Sequence, residues 1–461
     1  MRIVMCSSEV VPFAKTGGLA DVVGALPVAL EKLGFEVSVV MPYYKVIKEK
    51  TAKASRFQDG VYTAKLGKNC RVYFIENDSY FYRDGLYGDK NGDYKDNLDR
   101  FSFYCQNTLN LLKEINLKPD ILHCHDWQTA LIPVYIKTNL AKDEFYKGIK
   151  TLFTIHNLGY QGLFPAEEFS KLKLDKSLFG IEGLEFFGKI NLLKGGIIFS
   201  DAISTVSPTY SKEIQTKEFG FGLEGVLAKR KKQLYGIING IDYDIWNPKT
   251  DNFIAQHYGK DSLEGKAVCK KDLQKICHLP QKQDIPLLGI VSRLAQQKGF
   301  DILAKGIKDI CSMPLQLVIL GTGDLEYHNL LEKMAREFPE VISLSLKFDD
   351  VLAHKIYAGS DIFLMPSRYE PCGLGQLISL SYGTIPLVFK TGGLADTINE
   401  DNGFVFDKYN EEALVKTIKK AIAKFQDKKA WKELVVRAMG CNFSWEESAK
   451  KYVLVYEKIL S

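Results

Sequence analysis

Short apolar runs rich in β-branched residues alternate with amphipathic or glycine-punctuated stretches from the first residue onward. In the first half of the chain these runs occupy residues 2–8, 36–44, 71–77, 120–126, 150–157 and 202–207. Runs of this length between helical patterns are typical of strands joined by crossover helices. The pattern therefore predicts an α/β domain built on a mainly parallel sheet.

The alternation pauses between residues 239 and 286, where glycine and proline recur and strand-like runs are few. A second series of apolar runs follows at residues 286–293, 315–321, 341–347, 361–367 and 384–389. The pause predicts a domain boundary, with doubly wound domains at residues 1–240 and 241–444. In such folds, ligands bind in the crevice beyond the carboxyl ends of the strands.

The last residues of the chain predict a helix over 445–460. Tyr452, Val455, Tyr456 and Ile459 recur at helical spacing and would form one apolar face. We expect this C-terminal segment, residues 445–461, to complete the N-terminal domain.

Composition narrows the class of protein. Hydrophobic residues make up 46% and charged residues 25% of the 461 positions, which is ordinary for a globular chain of two or three domains. No apolar run is long enough to span a bilayer, and the strand-like residues 2–5 do not resemble a signal peptide. Nine scattered cysteines without a CxxC pair favour a reducing cytoplasm. The mild net charge of +5 does not indicate nucleic acid but is compatible with an anionic small ligand.

The heptapeptide Lys-Thr-Gly-Gly-Leu-Ala-Asp occurs twice, at residues 15–21 and 390–396. Each copy follows a strand-like run and precedes a helical one. The Gly-Gly pair can bring bare backbone N–H groups, at the positive end of a helix, against an anion. The alternative is that each pair only makes a tight turn between strand and helix. The matched pair favours the first interpretation and is compatible with two loops that face one cleft.

Charged residues follow two predicted strands of the second domain. Arg293 and Lys298 lie between an apolar strand and a helix, where a diphosphate would bind. Ordinary surface cations are the alternative, which this position disfavours. Glu370 could accept hydrogen bonds from sugar hydroxyls, or it could be an acid that favours a helix start. Cys372 has no activating base beside it, so we interpret it as a packed side chain rather than a nucleophile.

A His-Cys-His sequence at 123–125 imitates a metal site. Alternate residues of a strand share a face, so His123 and His125 point one way and Cys124 points the other. This arrangement disfavours a metal cluster on that strand.

Polar and aromatic residues also follow strands of the first domain. Asp126 and Trp127 come at the end of one predicted strand, and His156 comes at the end of the next. We interpret all of them as cleft residues. The Trp127 indole could pack on a sugar or could stiffen the loop.

Two acidic patterns imitate cation sites. Asp89 begins a run like a calcium loop, but Tyr94 replaces the glycine at the sixth position and Arg100 replaces the glutamate at the twelfth. Asp242 and Asp244 imitate the DxD motif of metal-dependent sugar transferases, but they lie in the predicted interdomain segment. We interpret that pair as a feature of the hinge.

Residues 80–103 are rich in aromatic and acidic side chains, including Phe81, Tyr82, Tyr87 and Tyr94. This composition suits a loop that lies along a carbohydrate. It equally suits a surface loop that covers a small core of its own.

Together these blocks resemble the signature motifs of bacterial glycogen synthases and plant starch synthases. The resemblance spans nearly the whole chain and is carried by residues 15–21, 123–127, 156–159, 239–242, 246–248, 292–299, 370–373 and 390–396. The family implies an α/β GT-B fold, in which two Rossmann-like domains face a deep cleft. It also implies transfer of glucose from a nucleotide diphosphate sugar to the nonreducing end of an α-1,4-glucan, with retention of configuration. On this resemblance the N-terminal domain is the acceptor side and the C-terminal domain is the donor side.

The resemblance also implies a role for each candidate residue. The catalytic group would comprise Asp126, His156, Arg293, Lys298 and Glu370, with the two cations on the diphosphate and His156 beside the reacting carbon. The substrate-binding group would comprise Lys15, Gly18, Asp21, Trp127, Asn239, Cys372, Gly373, Leu374, Thr391 and Gly392. Two positions depart from related sequences. Ile378 stands where many retaining transferases have a second glutamate, as is common in this family, and Gly375 stands where threonine is more usual.

The leaving group decides what chemistry the site must supply. A nucleotide diphosphate leaves readily, so the site needs charge stabilisation rather than the carboxylate pair of a glycosidase. We expect no covalent enzyme nucleophile, no metal ion and no cofactor. The family expectation for the donor is ADP-glucose, with UDP-glucose second, and a related transferase with another acceptor is the closest rival. A noncatalytic glucan-binding protein is disfavoured because the charged motifs are present, and a dehydrogenase is disfavoured because the GxGxxG pattern is missing.

Overall fold

The computed structural model describes residues 1–50 and 54–461. Their contacts divide the chain into two compact units. The first unit comprises Met1–Asn239 together with Trp445–Ser461, and the second comprises Gly240–Ser444. The division falls at the start of the segment in which the strand pattern pauses.

A nine-stranded sheet organises the first unit. The strands of this unit are β1 (Arg2–Cys6), β2 (Glu36–Pro42), β3 (Ser55–Gln58), β4 (Val61–Leu66), β5 (Cys70–Ile75), β6 (Gly88–Asp89), β7 (Gly92–Asp93), β8 (Ile121–His125), β9 (Lys150–Ile155), β10 (Leu163–Pro165), β11 (Glu185–Phe186), β12 (Lys189–Asn191), β13 (Ala202–Thr205) and β14 (Leu234–Gly236). The main sheet has the order β14-β13-β9-β8-β1-β2-β5-β4-β3. It is parallel except where β3, β4 and β5 pair at one edge. The order reverses between β1 and β8, which makes their carboxyl ends the switch point where ligands bind in such sheets.

Helices follow most strands of the first unit. They are α1 (Gly18–Lys32), α2 (Lys45–Lys50), α3 (Asp78–Phe81), α4 (Asn97–Glu114), α5 (Leu131–Lys137), α6 (Leu192–Phe199), α7 (Pro208–Glu213) and α8 (Glu224–Lys229). Both side-chain directions of β8 are buried, as expected for a parallel sheet that is covered on both faces. The remaining strands form two small separate sheets, β6-β7 and β10-β12-β11.

The second unit contains a six-stranded parallel sheet. Its strands are β15 (Leu287–Val291), β16 (Gln316–Leu320), β17 (Ile342–Ser345), β18 (Ile362–Met365), β19 (Ile385–Phe389) and β20 (Phe404–Phe406), in the order β17-β16-β15-β18-β19-β20. This order is that of the Rossmann fold, and its switch point lies between β15 and β18. The helices are α9 (Glu264–Ile276), α10 (Phe300–Cys311), α11 (Leu325–Glu337), α12 (Asp350–Gly359), α13 (Gly375–Ser381), α14 (Gly392–Thr397), α15 (Glu411–Gln426) and α16 (Lys428–Met439).

The last helix, α17 (Trp445–Leu460), belongs to the first unit. It buries Tyr452, Val455 and Tyr456, which are three of the four residues that define its predicted apolar face. The Tyr456 hydroxyl lies 2.8 Å from Nδ1 of His123, a residue of β8. The terminal helix is therefore hydrogen-bonded to the centre of the main sheet.

The predicted strands are confirmed, each within two residues at either end. The predicted terminal helix over 445–460 is confirmed as well. The sequence pattern missed β3, β4, β14, β20 and the two small sheets, β6-β7 and β10-β12-β11. Of these, β3 and β10 are short and largely exposed and so carry no apolar alternation. Among the residues that the structure describes, no helix has both the length and the apolar character needed to cross a bilayer.

The Tyr456 hydroxyl provides a test of how the terminal helix is held. In Tyr456→Phe, a buried ring nitrogen of His123 loses its partner, and we expect the free energy of unfolding to fall by about 1–3 kcal/mol in urea titrations. Tyr44→Phe is the matched control, because Tyr44 is equally buried but its hydroxyl has no hydrogen-bond partner within residues 1–50 and 54–461. A similar loss of stability in both variants would contradict this account.

Candidate active site

The carboxyl ends of β8 and β9 bring Asp126 and His156 into contact in the first unit. The His156 backbone N–H donates to Oδ1 of Asp126 across 2.7 Å, and the Asp126 N–H donates to the Thr154 carbonyl across 2.9 Å. Asp126 has a left-handed backbone, with φ 57°. Burial raises the pKa of its carboxyl group to about 7, against the lowering effect of the His156 N–H. This carboxyl group therefore gains a proton as the pH falls through neutrality.

Three histidines form a chain beneath this strand end. The rings of His123 and His125 lie 4.1 Å apart, which confirms that they share a face of β8. Nε2 of His123 lies 2.6 Å from the Thr154 hydroxyl, and Nδ1 of His125 lies 3.0 Å from Nε2 of His156. Burial lowers the pKa of His156 to about 3 and those of His123 and His125 well below the usual value. All three rings are therefore neutral at pH 7.

The orphaned nitrogen of His125 fixes the tautomer of His156. Nε2 of His125 is buried and has no hydrogen-bond partner among the described residues. A buried N–H without an acceptor is the rarer and costlier defect, so the His125 proton belongs on Nδ1. His125 Nδ1–H then donates to His156 Nε2, and neutral His156 must carry its own proton on Nδ1. His156 can therefore offer an N–H donor at a strand end.

Trp127 is buried beside these groups rather than presented as an open platform. Its ring centroid lies 5.0 Å from that of Phe101, with the planes at 79°, and 5.8 Å from that of Phe164. A Cβ at Gly162 would lie 2.6 Å from the indole ring, so the backbone packs directly on it. This packing favours the interpretation that Trp127 stiffens the loop.

A buried acid that the sequence reasoning missed, Glu9, holds the first KTGGLAD loop. Its carboxylate accepts the Thr16 N–H, the Gly17 N–H at 3.1 Å and the Thr16 hydroxyl at 2.6 Å. The Tyr87 hydroxyl donates to it across 2.6 Å. Burial and the neighbouring Glu9 raise the pKa of Tyr87 well above its usual value, which keeps that hydroxyl protonated. The loop is thus pinned from beneath by the protein's own anion.

The expectation of bare N–H groups at this loop is therefore wrong for Gly17, since a buried carboxylate has already satisfied it. Residues 7–14 also separate the loop from β1, so it does not follow the strand directly. Gly18 is exposed and begins α1. Lys15, the first residue of the heptapeptide, pairs with Asp21 across 2.7 Å, with side chains 48% and 30% exposed. Such an exposed pair is weak, so Lys15 can turn to an incoming anion at little cost.

The second copy of the heptapeptide has a different backbone from the first. Gly392 has φ 42°, and a Cβ there would lie 1.9 Å from the Glu370 carbonyl oxygen. The Gly393 N–H donates to that carbonyl across 3.1 Å, so the expectation of a bare N–H is wrong here too. Glycine is needed here because the backbone at residues 392–393 lies directly against the backbone at Glu370. This contact holds the residues before Cys372 in place. Thr391, Gly392 and Cys372 are all buried, which confirms Cys372 as a packed side chain.

A cavity of about 160 Å³ lies at the switch point of the second unit. Its lining includes the predicted residues Arg293, Lys298, Glu370, Gly373 and Leu374, together with Gly375. The structure therefore brings these five second-unit candidates together, whereas Cys372, Thr391 and Gly392 are not part of the lining. The lining also includes the apolar residues Ile290 and Leu364.

Lys298 and Glu370 form an ion pair in this cavity. Nζ of Lys298 lies 2.6 Å from Oε2 of Glu370, with side chains only 17% and 8% exposed. The Ser367 hydroxyl donates to the same oxygen across 3.0 Å. Gln297 fixes the geometry, because its carbonyl accepts the Arg368 N–H at 2.9 Å and its amide donates to the Tyr369 carbonyl at 3.0 Å. Removing either member of this buried pair would leave the other charge uncompensated.

The other sequence candidates have settled positions. Asn239 is buried, and its Oδ1 has no partner within the described part of the chain.

Arg100 is fully buried among residues 80–103 and donates to the carbonyls of Tyr80 and Leu86, so that stretch covers a small core of its own. The Asp244 N–H donates to Asp242 in a local turn. Within residues 1–50 and 54–461, no three acids, histidines or cysteines are grouped as metal ligands would be.

Known proteins resemble this chain along its whole length. A family model described as the starch synthase catalytic domain matches residues 2–229, and one described as glycosyl transferases group 1 matches residues 276–434. The glycogen synthase of Geotalea uraniireducens (strain Rf4) is 48% identical over 100% of this chain and 99% of its own. That of Thermosipho melanesiensis is 46% identical, again over 100% and 99%. The chain belongs to the glycogen and starch synthase family.

Solved structures agree with that membership. The catalytic domain of starch synthase IV from Arabidopsis thaliana, bound to ADP and acarbose, is 34% identical with a TM-score of 0.89 over 99% of both chains. Sucrose-phosphate synthase from Thermosynechococcus elongatus is 17% identical with a TM-score of 0.62, covering 99% of this chain and 98% of its own, and shares the fold. The expected GT-B fold class and the expected function as a glycogen or starch synthase are both confirmed.

Sequence reasoning missed several residues that hold the site of this synthase. Glu9 follows β1 at the switch point, so the strand-end rule that selected Asp126 and His156 could have found it. His125 was considered only as a metal ligand, and its contact with His156 depends on the register of two strands. No local signal points to the bond from Ser367 to Glu370, which is set by a turn, or to the bond from Tyr87 to Glu9, two residues that are distant in sequence.

The His156 tautomer can be measured directly by ¹⁵N NMR on histidine-labelled protein. We expect a neutral ring protonated at Nδ1, and we expect it to stay neutral down to about pH 4, because burial places its pKa near 3. His125→Asn keeps a donor near the Nδ1 position and should preserve this tautomer. His125→Phe removes the donor, so the His156 proton should no longer be restricted to Nδ1. A His156 ring protonated at Nε2 in the unaltered protein would contradict the assignment.

Proposed function

We propose that this chain transfers glucose from ADP-glucose to the nonreducing end of an α-1,4-glucan, with retention of configuration. The observation that carries the proposal is the grouping of Arg293, Lys298 and Glu370 at the switch-point cavity of the second unit. The ADP bound to the Arabidopsis starch synthase supports the choice of nucleotide. UDP-glucose is the alternative donor, and a related transferase with another acceptor is the alternative activity.

In the donor half, the two cations bind the diphosphate and the acid binds the sugar. Lys298 is held by Glu370 before any ligand arrives, so a phosphate would meet a cation that is already in position. Glu370 would then accept a hydrogen bond from a glucose hydroxyl, and this bond would replace part of its ion pair with Lys298. Arg293, Gly373, Leu374 and the Thr391-Gly392 turn complete the proposed donor site.

In the acceptor half, the strand-end groups of the first unit bind glucose and the reacting end of the glucan. His156 donates a hydrogen bond from Nδ1–H to a sugar hydroxyl. Asp126 and the orphaned Oδ1 of Asn239 accept hydrogen bonds from sugar hydroxyls. Lys15, beside Gly18 and Asp21, supplies a further cation for the donor phosphates. These roles divide the protein into an acceptor side, residues 1–240 with 445–461, and a donor side, residues 241–444.

The mechanism needs no group beyond these residues. The C1–O bond to the diphosphate breaks while the acceptor oxygen bonds to C1 from the same face, and the departing phosphate oxygen takes the acceptor proton. Arg293 and Lys298 offset the charge that grows on the phosphate, which is the role of Mg²⁺ in metal-dependent transferases. The proposal therefore includes neither a metal ion nor a covalent enzyme intermediate. The proposal also includes a cytoplasmic location, which is supported by nine cysteines that form no disulfide bond within the described residues.

Transfer assays with labelled nucleotide sugars test the function. ADP-glucose with glycogen should give labelled glucan, UDP-glucose should give a lower rate, and ADP-glucose without glycogen should give little product. Equal or faster transfer from UDP-glucose would contradict the donor assignment. Transfer to a sugar phosphate instead of glycogen would contradict the acceptor assignment.

Lys298→Ala tests the donor site. We expect turnover to fall at least about tenfold, because a charge that stabilises the leaving group is lost. The double variant Lys298→Ala/Glu370→Gln removes the unpaired acid as well, so it should regain stability without regaining rate. Lys347→Ala is the matched control, since this exposed lysine of the same unit pairs only with Asp349 in the structure. Near-normal turnover in Lys298→Ala would contradict the phosphate role.

A further inference from the structure

Two phenylalanines of the first unit combine a left-handed backbone with an exposed ring. Phe187 has φ 49° and is 83% exposed, and Phe221 has φ 49° and is 42% exposed. The left-handed region is uncommon for any residue other than glycine and is disfavoured for bulky side chains. The Phe187 ring in particular is mostly exposed, so burial does not account for a phenylalanine in this backbone conformation.

Both phenylalanines lie at the same position in a tight turn. Phe187 and Gly188 connect β11 to β12, and the turn around Phe221 and Gly222 closes with a 2.8 Å hydrogen bond from the Leu223 N–H to the Gly220 carbonyl. The glycines have φ 76° and 84°, so both central residues of each turn have positive φ. This is the type I′ geometry, for which Asn-Gly and Asp-Gly are favoured. The chain thus carries Phe twice where the turn itself favours Asn.

The two turns meet at the surface. A Cβ at Gly222 would lie 2.8 Å from the Phe186 ring and 3.3 Å from the Phe187 ring. The rings of Phe186 and Phe187 have centroids 4.7 Å apart with planes at 81°. Phe186, Phe187 and Phe221, together with Tyr160, form what we call the aromatic platform.

Tyr160 joins the platform through its buried neighbour. Gln161 donates its amide to the Phe221 carbonyl across 3.1 Å and accepts the Asn191 amide across 2.6 Å. Tyr160 itself is 53% exposed. The next residue, Gly162, packs on the Trp127 indole, and Trp127 follows Asp126. The platform therefore begins beside the strand-end groups of the same unit.

We propose that the aromatic platform binds the glucan chain behind its reacting end. A sugar ring presents a face of C–H bonds that stacks on aromatic rings, and exposed aromatic patches of this kind mark binding sites. Because the platform adjoins Asp126 and His156, a glucan whose end is held by those groups can continue over it. The inference rests on the proposed function, since it takes the acceptor to be an α-1,4-glucan.

The variants Phe187→Asn and Phe221→Asn separate the ring from the backbone. Asparagine suits both turns, so each variant should keep or raise the thermal midpoint while losing its ring. We expect the dissociation constant for glycogen, measured without donor by affinity electrophoresis, to rise about fivefold in each variant. With ADP-glucose, KM for maltoheptaose should rise while kcat for maltose changes little. Phe348→Asn is the matched control, because this 79% exposed ring lies in the second unit.

Each outcome has a definite meaning. Unchanged glycogen binding and unchanged KM in both platform variants would overturn the proposal, even if the unaltered protein transfers glucose to glycogen. If the unaltered protein transfers no glucose, the proposed function fails, whereas the donor-free binding assay still decides whether the platform holds glucan. Variants that change only the sedimentation of the protein, with glycogen binding intact, would assign the platform to a second copy of this chain and would also overturn the proposal.

Discussion

A buried carboxylate is stable only with hydrogen bonds or a counter-charge, and each unit of this protein builds its candidate site around one such group. Glu9 accepts two backbone N–H groups of the loop that carries Lys15, and its partner Tyr87 donates from the other side. Glu370 holds Lys298 across 2.6 Å in the second unit. Both lysine-bearing loops are therefore held by contacts within the protein itself, so binding a substrate need not reorganise them.

The strand-end rule explains what the sequence could predict. Asp126, His156, Arg293 and Glu370 each follow an apolar run. The structure sets Asp126, Arg293 and Glu370 at the switch points of the two main sheets, and His156 follows the strand next to the first switch point. The rule works because buried parallel strands must be continuously apolar, which makes their ends visible in the sequence. The edge hairpin of β3 and β4 and the small sheet of β10 to β12 have no such signature, since these strands are short or partly exposed and so carry no continuous apolar run.

The repeated heptapeptide shows where local sequence stops being informative. In the first copy the helix begins at the second glycine, Gly18, and in the second copy it begins at the first glycine, Gly392. The difference comes from what lies beneath: a carboxylate of Glu9 in one case and the backbone carbonyl of Glu370 in the other. Identical residues thus adopt two structures because each backbone N–H pairs with whatever acceptor the fold supplies. The same reasoning from unpaired atoms, applied to His125, assigns the donor nitrogen of His156, which no sequence pattern could have done.

The central claim of the proposal is that Arg293 and Lys298, of which Lys298 is held by Glu370, offset the charge on the departing diphosphate. The most direct test is the initial rate with saturating ADP-glucose and glycogen, measured with and without excess EDTA. The account predicts nearly equal rates, because in the proposal Arg293 and Lys298 supply the positive charge that a metal ion would otherwise supply to the phosphate. A loss of activity in EDTA that Mg²⁺ or Mn²⁺ restores would contradict it.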